Sequence, residues 1–204
     1  MLVCGIDEAG RGSLLGPLVI AGVLIQHTKI KNLTSMGIRD SKKLSPRKRE
    51  FLYKKIIEQV DDFAIARIYP RIIDSSVRKH KLNFLEARYM AKVISKLNPT
   101  VAYVDSCDVN PKRFGKEIAR LSHVSKIRSY HKADNKFVVV SAASIIAKVT
   151  RDKAISRLQK EHDLGSGYPS DSKTMDFVSD WVSNGKEIPS FVRKSWKPIK
   201  ILLN

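Results

Sequence analysis

Leu2, Val3 and Ile6 make an apolar strand that runs straight into two adjacent carboxylates, Asp7 and Glu8, and then into the turn Gly10-Arg11-Gly12. No other stretch constrains the fold as strongly. Side chains alternate across a strand, so Asp7 and Glu8 set out on opposite faces, and the glycine turn is needed to bring both to one edge. Burying unpaired carboxylates is expensive, and the usual compensation is a hard divalent cation, which prefers carboxylate oxygen. Arg11 can hold a phosphate oxygen, while the flanking glycines let backbone N–H groups approach a sugar-phosphate chain. Taken alone, the octapeptide also reads as an acidic helix cap followed by glycines that only shape a loop.

The charge balance selects the partner. Lys and Arg number 38 against 20 Asp and Glu, a formal net charge of +18 with a pI near 10.0. A polyanion is expected. The cations are spread along the whole chain rather than gathered on an amphipathic helix with aromatic anchors, which favours nucleic acid over a membrane surface. The longest apolar run, Leu14 to Ile25, is broken by Gly16-Pro17 and Gly22, is too short for a bilayer and has no basic leader. Cys4 and Cys107 form no metal-type pair and no disulfide framework, as in a reducing cytoplasm, and Cys4 is expected to pack as a small hydrophobe.

A chain of 204 residues can bury one sizeable core. Strands are expected at Leu2–Ile6, Leu18–Ile25, Phe63–Tyr69 and Val101–Val104. Ser45-Pro46-Arg47 reads as the start of a helix to about Val60, with Phe51, Leu52, Ile56 and Ile57 on its apolar stripe. A second helix is expected from about Asp74 to Leu97, with Phe84, Leu85, Met90 and Ile94 inward. The long periodic segment Val139 to His162 carries Ala142, Ala143 and Ala147, small enough for close approach to a sheet. After Gly165-Ser166-Gly167-Tyr168-Pro169 come a short helical pattern at Thr174–Ser183 and a basic tail. The expectation is an α/β chain, a mixed β-sheet flanked by helices over 1–164, with a small C-terminal helical subdomain over 165–204.

Two further acids stand where chemistry is presented. Asp105 ends the apolar run Val101-Ala102-Tyr103-Val104, and strand ends commonly carry functional groups; as an isolated residue it is equally a turn-capping aspartate. Asp134, in His131-Lys132-Ala133-Asp134, precedes the long helix and would gain from a helix N-terminus. Asp108 reads as a turn residue.

Four separated segments in order, Asp7-Glu8-Ala9-Gly10-Arg11-Gly12 with Gly16-Pro17, Asp40-Ser41-Lys42-Lys43-Leu44, His131-Lys132-Ala133-Asp134 with Ser141 to Lys148, and Gly165 to Asp171, resemble the signatures of ribonuclease HII, nearest its archaeal branch. The resemblance implies a ribonuclease H-like sheet and an endoribonuclease that cuts the RNA strand of RNA–DNA hybrids and single ribonucleotides in duplex DNA. It implies Asp7, Glu8, Asp105 and Asp134 as the catalytic and metal-holding acids, with two Mg²⁺ or Mn²⁺ ions in the working site. Four gathered carboxylates repel and need cations, which would clamp the attacking and leaving oxygens of an in-line displacement by water. The ends would be 5′-phosphate and 3′-hydroxyl. Gly10, Arg11 and Gly12 would read the 2′-hydroxyl that distinguishes RNA from DNA, Lys42 and Lys43 would contact backbone phosphate, and Tyr168 would pack on the deoxyribose downstream. Arg193, Lys194 and Lys197 would track phosphate, with Trp196 packed onto the subdomain.

The chain departs from the family pattern at Ser13, where proline is common, and at Leu15, bulky for that turn. No sliding-clamp peptide is recognised between Ile199 and Asn204, and a monomer is expected. A hybrid-binding module without catalysis would account for the charge but leave four acids without a role. A different metal nuclease on a related sheet, such as a junction resolvase, would account for both.

Overall fold

A computed structural model describes residues 1–38, 44–185 and 187–203. In chain order the elements are β1 (Leu2–Ala9), β2 (Leu18–Gln26), α1 (Ile30–Ser35), α2 (Pro46–Gln59), β3 (Asp62–Ile68), α3 (Pro70–Arg78), α4 (Leu82–Leu97), β4 (Val101–Asp105), α5 (Pro111–Ser122), β5 (Ile127–Tyr130), α6 (Ala133–Lys136), α7 (Val138–Leu158), α8 (Ser172–Ser183) and α9 (Lys197–Leu203). The sheet is mixed and ordered β3-β2-β1-β4-β5. Among the described residues no helix is long and apolar enough to cross a membrane.

The chain divides into two compact units. The first comprises Met1–Ala9, Ile20–Ala66 and Asn83–Val149 and carries the sheet. β1 runs parallel to β4 with Ile6 opposite Val104, and β4 runs parallel to β5 with Asp105 opposite Tyr130. Strands covered on both faces read as continuous apolar runs, and Val3, Cys4, Ile6, Val23 and Val104 are buried accordingly. Cys4 packs as a small hydrophobe, its thiol pKa pushed up by burial. Helices lie directly on strand backbone where glycine permits it. A Cβ on Gly5 would stand 2.2 Å from the Val139 carbonyl oxygen in α7, and one on Gly22 would stand 2.5 Å from Val93 in α4. The small residues Ala142, Ala143 and Ala147 of α7 are fully buried, as their size requires.

The second unit comprises Gly10–Val19, Arg67–Leu82 and Thr150–Asn204. Its core gathers Leu14, Leu15, Ile155, Leu164, Val178, Val192 and Ile199, with Trp196 packed against them. Leu15, bulky for its turn, is spent here, where it bridges to Val192. The Asp74 carboxylate of α3 accepts bonds from the Lys194 and Ser195 N–H groups and the Ser195 hydroxyl, tying down the C-terminal segment. The boundary expected at 164/165 falls inside this unit.

Most expected elements form within one or two residues. The helix expected from Asp74 to Leu97 is instead two, α3 and α4, separated at Lys79-His80-Lys81. His80 takes φ 54°, and the Lys81 N–H closes the turn on the Ser76 carbonyl. Three consecutive basic residues offer no apolar face to continue the helix. Phe51 and Phe84 also leave their expected stripes and are 49% and 44% exposed. Phe51 instead lies beneath the Lys48 and Lys55 ammonium groups, 5.2 and 4.7 Å from its ring centre.

Candidate active site

In the first unit β1 continues past the expected end to Ala9, and its parallel pairing with β4, Ile6 opposite Val104, sets Asp7 inside β1 beside Asp105 at the end of β4. Asp7 is buried. Its carboxylate accepts the Glu8 N–H at 2.7 Å and the Ser144 hydroxyl of α7. The Asp7 pKa is nevertheless pushed up from 3.8 to about 7, first by burial and then by the negative charges of Asp105 and Asp134. Burial does most of this, and the charges of Asp105 and, least, Asp134 add to it, which puts the three carboxylates in one electrostatic neighbourhood. Asp105 is fixed from the far side, where its Oδ1 accepts the Ala133 N–H at 2.8 Å.

Asp134 is buried in the first turn of α6, a four-residue helix set ahead of α7, rather than at the start of the long helix itself. Its position therefore comes from the left-handed Lys132 (φ 54°) and from the Ser141 hydroxyl, which donates to the Asp134 carbonyl. Glu8 is grouped with residues other than these three aspartates. One donor atom from each of Glu8, Glu86 and Cys107 falls within 4.8 Å of the others, and the Cys107 thiol donates to Glu86 Oε2 at 2.9 Å. Asp7, Asp105 and Asp134 offer only carboxylate oxygen, which suits a hard divalent cation, and neutralisation would relieve the repulsion at Asp7.

In the second unit Gly10, with φ +84°, opens the Gly10-Arg11-Gly12 loop in a conformation that side chains rarely adopt. A Cβ there would meet the Pro17 carbonyl at 3.0 Å and the Arg151 side chain at 3.3 Å. Ser13, in place of proline, is fully buried, and its hydroxyl lies 2.8 Å from both the Leu15 and Gly167 carbonyls. Hydrogen bonding thus supplies the fixity a ring would have given. The Leu14 N–H adds a bond of 2.7 Å to the same Gly167 carbonyl, so the loop holding Gly10-Arg11-Gly12 and the loop holding Tyr168 are joined.

Arg151, from α7, clamps the two loops. It is buried, donates through Nη2 to the Ser13 hydroxyl at 2.8 Å and to the Ser166 carbonyl at 2.5 Å, and lays its guanidinium 4.2 Å from the centre of the Tyr168 ring. One face of Tyr168 is thereby set by a cation. Arg193 supports the first loop, and here the expectation fails: instead of an exposed cation tracking phosphate it is fully buried. Its Nε donates to the Gly16 carbonyl at 3.1 Å and its Nη1 to the Arg11 carbonyl at 2.9 Å. Five donors in a rigid fork suit such bracing of backbone, which lysine could not match. Lys194 and Lys197 remain exposed. Lys42 and Lys43 lie outside the described residues.

Sequence reasoning missed Ser144, Arg151, Glu86 and Asp74. Ser144 and Arg151 sit seven positions apart on α7, two helical turns, so both project from one side of the helix; that spacing was the available signal. Asp108 behaves as the turn residue expected, paired with Arg113 at 2.6 Å and accepting the Asn110 N–H.

A family model described as ribonuclease HII matches residues 4–199. Ribonuclease HII of Cenarchaeum symbiosum is 55% identical over 202 residues, 99% of this chain and 98% of that protein. The crystal structure of ribonuclease H2 from Pyrococcus horikoshii OT3 superposes with a TM-score of 0.91 at 43% identity, covering 100% of this chain and 97% of that one. Bst-RNase HIII, solved in complex with Mn²⁺, has the same fold with a TM-score of 0.82 at 19% identity, covering 100% of this chain and 69% of that one.

Proposed function

The chain belongs to the ribonuclease HII family, and from that premise we propose that Asp7, Glu8, Asp105 and Asp134 hold the divalent cations with which it cuts RNA in RNA–DNA hybrids and beside single ribonucleotides in duplex DNA. Membership makes it an endonuclease on the RNA of hybrids. What supports the site assignment is the burial of Asp7 and Asp134 together with the β1–β4 register that sets Asp7 beside Asp105, and the raised pKa of Asp7 agrees with it. The Mn²⁺ bound by the related HIII enzyme supports the choice of ion class.

The chain's own residues supply orientation. The Glu8 N–H and the Ser144 hydroxyl orient the Asp7 carboxylate, and the Ala133 N–H orients that of Asp105. Two Mg²⁺ or Mn²⁺ ions bound by these carboxylates would supply charge neutralisation at the attacking and leaving oxygens of an in-line water displacement, giving 5′-phosphate and 3′-hydroxyl ends. The Gly10-Arg11-Gly12 loop offers its N–H groups and Arg11 to the ribose and its phosphate, and Arg193 holds the loop's carbonyls turned inward.

Tyr168 chooses the sugar on the downstream side. With one ring face on Arg151, the ring can pack on a deoxyribose and obstruct a 2′-hydroxyl there. Tyr168→Ala is expected to slow cleavage at a single embedded ribonucleotide about tenfold more than cleavage inside a long RNA tract. Rates on both substrates, measured beside thermal unfolding, test this; equal losses on both would remove Tyr168 from substrate selection.

The net charge of +18 makes a second expectation about binding. Each phosphate neutralised contributes about −0.9 to the slope of log affinity against log salt, so hybrid affinity should fall steeply between 50 and 200 mM, by roughly 10³-fold if about six phosphates are contacted. A fluorescence titration at four salt concentrations reads the slope. A flat response would remove the electrostatic contribution.

A further inference from the structure

A cleft of about 690 Å³ opens in the second unit, lined by Gly16 and Pro17, by Arg67, Tyr69 and Arg71, by Arg157 of α7 and by Phe191. No acidic residue lines it. The guanidinium groups of Arg67, Arg71 and Arg157 have no ion-pair partner among the described residues. Local structure explains why they face outward. β3 alternates, with Ile68 buried and Arg67 exposed, and the buried Pro70 fixes the first turn of α3 so that Tyr69, at its N-cap, makes no capping bond and stands 59% exposed.

We propose that this cleft is a second nucleic-acid site that holds an unpaired strand, with Tyr69 stacking a base and the three arginines meeting the phosphates on either side. Such a combination of aromatic platform and cationic groove is how single strands are bound without sequence preference. The volume suits one or two nucleotides. Duplex offers Tyr69 no base face, because its bases already stack on one another, so an exposed ring points to an unpaired strand over a paired one. Gly16 and Pro17 follow the Gly10-Arg11-Gly12 loop in the chain, which ties the cleft covalently to the segment proposed to read the ribonucleotide. The inference goes beyond the hydrolysis reading and stands independently of the four acids.

The test uses a fluorescein-labelled twelve-nucleotide oligothymidylate, the full chain at low salt without divalent metal, and anisotropy as the readout. Tyr69→Ala and the double variant Arg67→Glu/Arg71→Glu are each expected to weaken oligothymidylate binding at least tenfold. Their cleavage of a blunt RNA–DNA hybrid should stay within about twofold of the parent, and their melting temperatures should match it, since all three side chains are exposed. In the parent protein a hybrid bearing a single-stranded extension should show a lower KM than the blunt hybrid, and Tyr69→Ala should erase the difference. Unchanged oligothymidylate affinity in both variants overturns the proposal. So does an equal loss on blunt hybrid, which makes the cleft part of the duplex track, or displacement by an oligoglutamate peptide as effective as by the oligonucleotide, which makes it a site for acidic protein. Absence of hybrid cleavage by the parent would instead count against the hydrolysis reading and leave the anisotropy arm intact.

Discussion

Asp7→Asn is expected to lower turnover on an RNA–DNA hybrid by about a thousandfold or more while raising the melting temperature of the metal-free protein. Several kcal/mol of transition-state charge stabilisation depend on the cations, and 1.36 kcal/mol corresponds to tenfold in rate. Hybrid affinity should remain within roughly tenfold, because the phosphate contacts come from the basic surface. The stability change has the opposite sign. Folding raises the Asp7 pKa from 3.8 to about 7, so the folded state binds a proton more tightly than the unfolded chain. The stability linked to this group is fully present below pH 4 and is lost as pH rises through 7. Asparagine carries no charge and still accepts from the Glu8 N–H and the Ser144 hydroxyl, so the variant escapes that loss. At pH 8 without cations it should melt at least about 5 °C above the parent, and at pH 4 the two should converge. Adding Mg²⁺ or Mn²⁺ at pH 8 should raise the parent's melting temperature and leave the variant nearly unmoved. Near-normal cleavage by the variant, or parallel melting curves at both pH values, would overturn the metal-site assignment.

The same residue shows why the neighbouring placement of Asp7 and Asp105 was legible in the sequence. An apolar run that leads into Asp-Glu and then into glycines leaves few ways to satisfy the carboxylates, and the apolar run before Asp105 repeats the pattern on the strand that pairs with it. Period and composition report burial well where every residue on a face agrees. They fail where a charged residue is buried or an aromatic one is exposed, since each runs against its average. Arg193 looked like surface because arginine usually is; it is buried because the Gly16 and Arg11 carbonyls need donors that the local backbone does not supply. Phe51 and Phe84 looked like core and are not. β5 was missed because Ile127-Arg128-Ser129-Tyr130 is only four residues with a single aliphatic side chain, and its strand character comes from pairing with β4 rather than from its own pattern. Asp74 gave no signal, because its partners, Lys194 and Ser195, stand some 120 residues away in the chain.

Arg151→Ala carries the second large expected effect. The guanidinium joins Ser13, Ser166, the Tyr168 ring and Asp152, so its loss releases four attachments at once. The Ser166 carbonyl would lose its donor, and a buried cavity would replace a large side chain; together these should cost about 2–4 kcal/mol, or roughly 4–10 °C in melting temperature. Activity should fall further than stability explains. Displacing the Tyr168 ring or the Gly10-Arg11-Gly12 loop by about 1 Å is enough to cost on the order of a hundredfold in rate. Because the contacts of Arg151 run to the two loops, the loss should appear mainly in kcat at a temperature where the variant is fully folded. Arg151→Lys separates positioning from mere filling of space. Lysine keeps the charge and much of the volume but cannot fork between Ser13 and Ser166 while lying flat on Tyr168. It should therefore recover more than half of the lost melting temperature and little of the lost turnover, and the preference for a single embedded ribonucleotide over a long RNA tract should remain depressed. If turnover returns in step with stability, or if the alanine variant's deficit matches its unfolded fraction, Arg151 holds the unit together without aiming Tyr168.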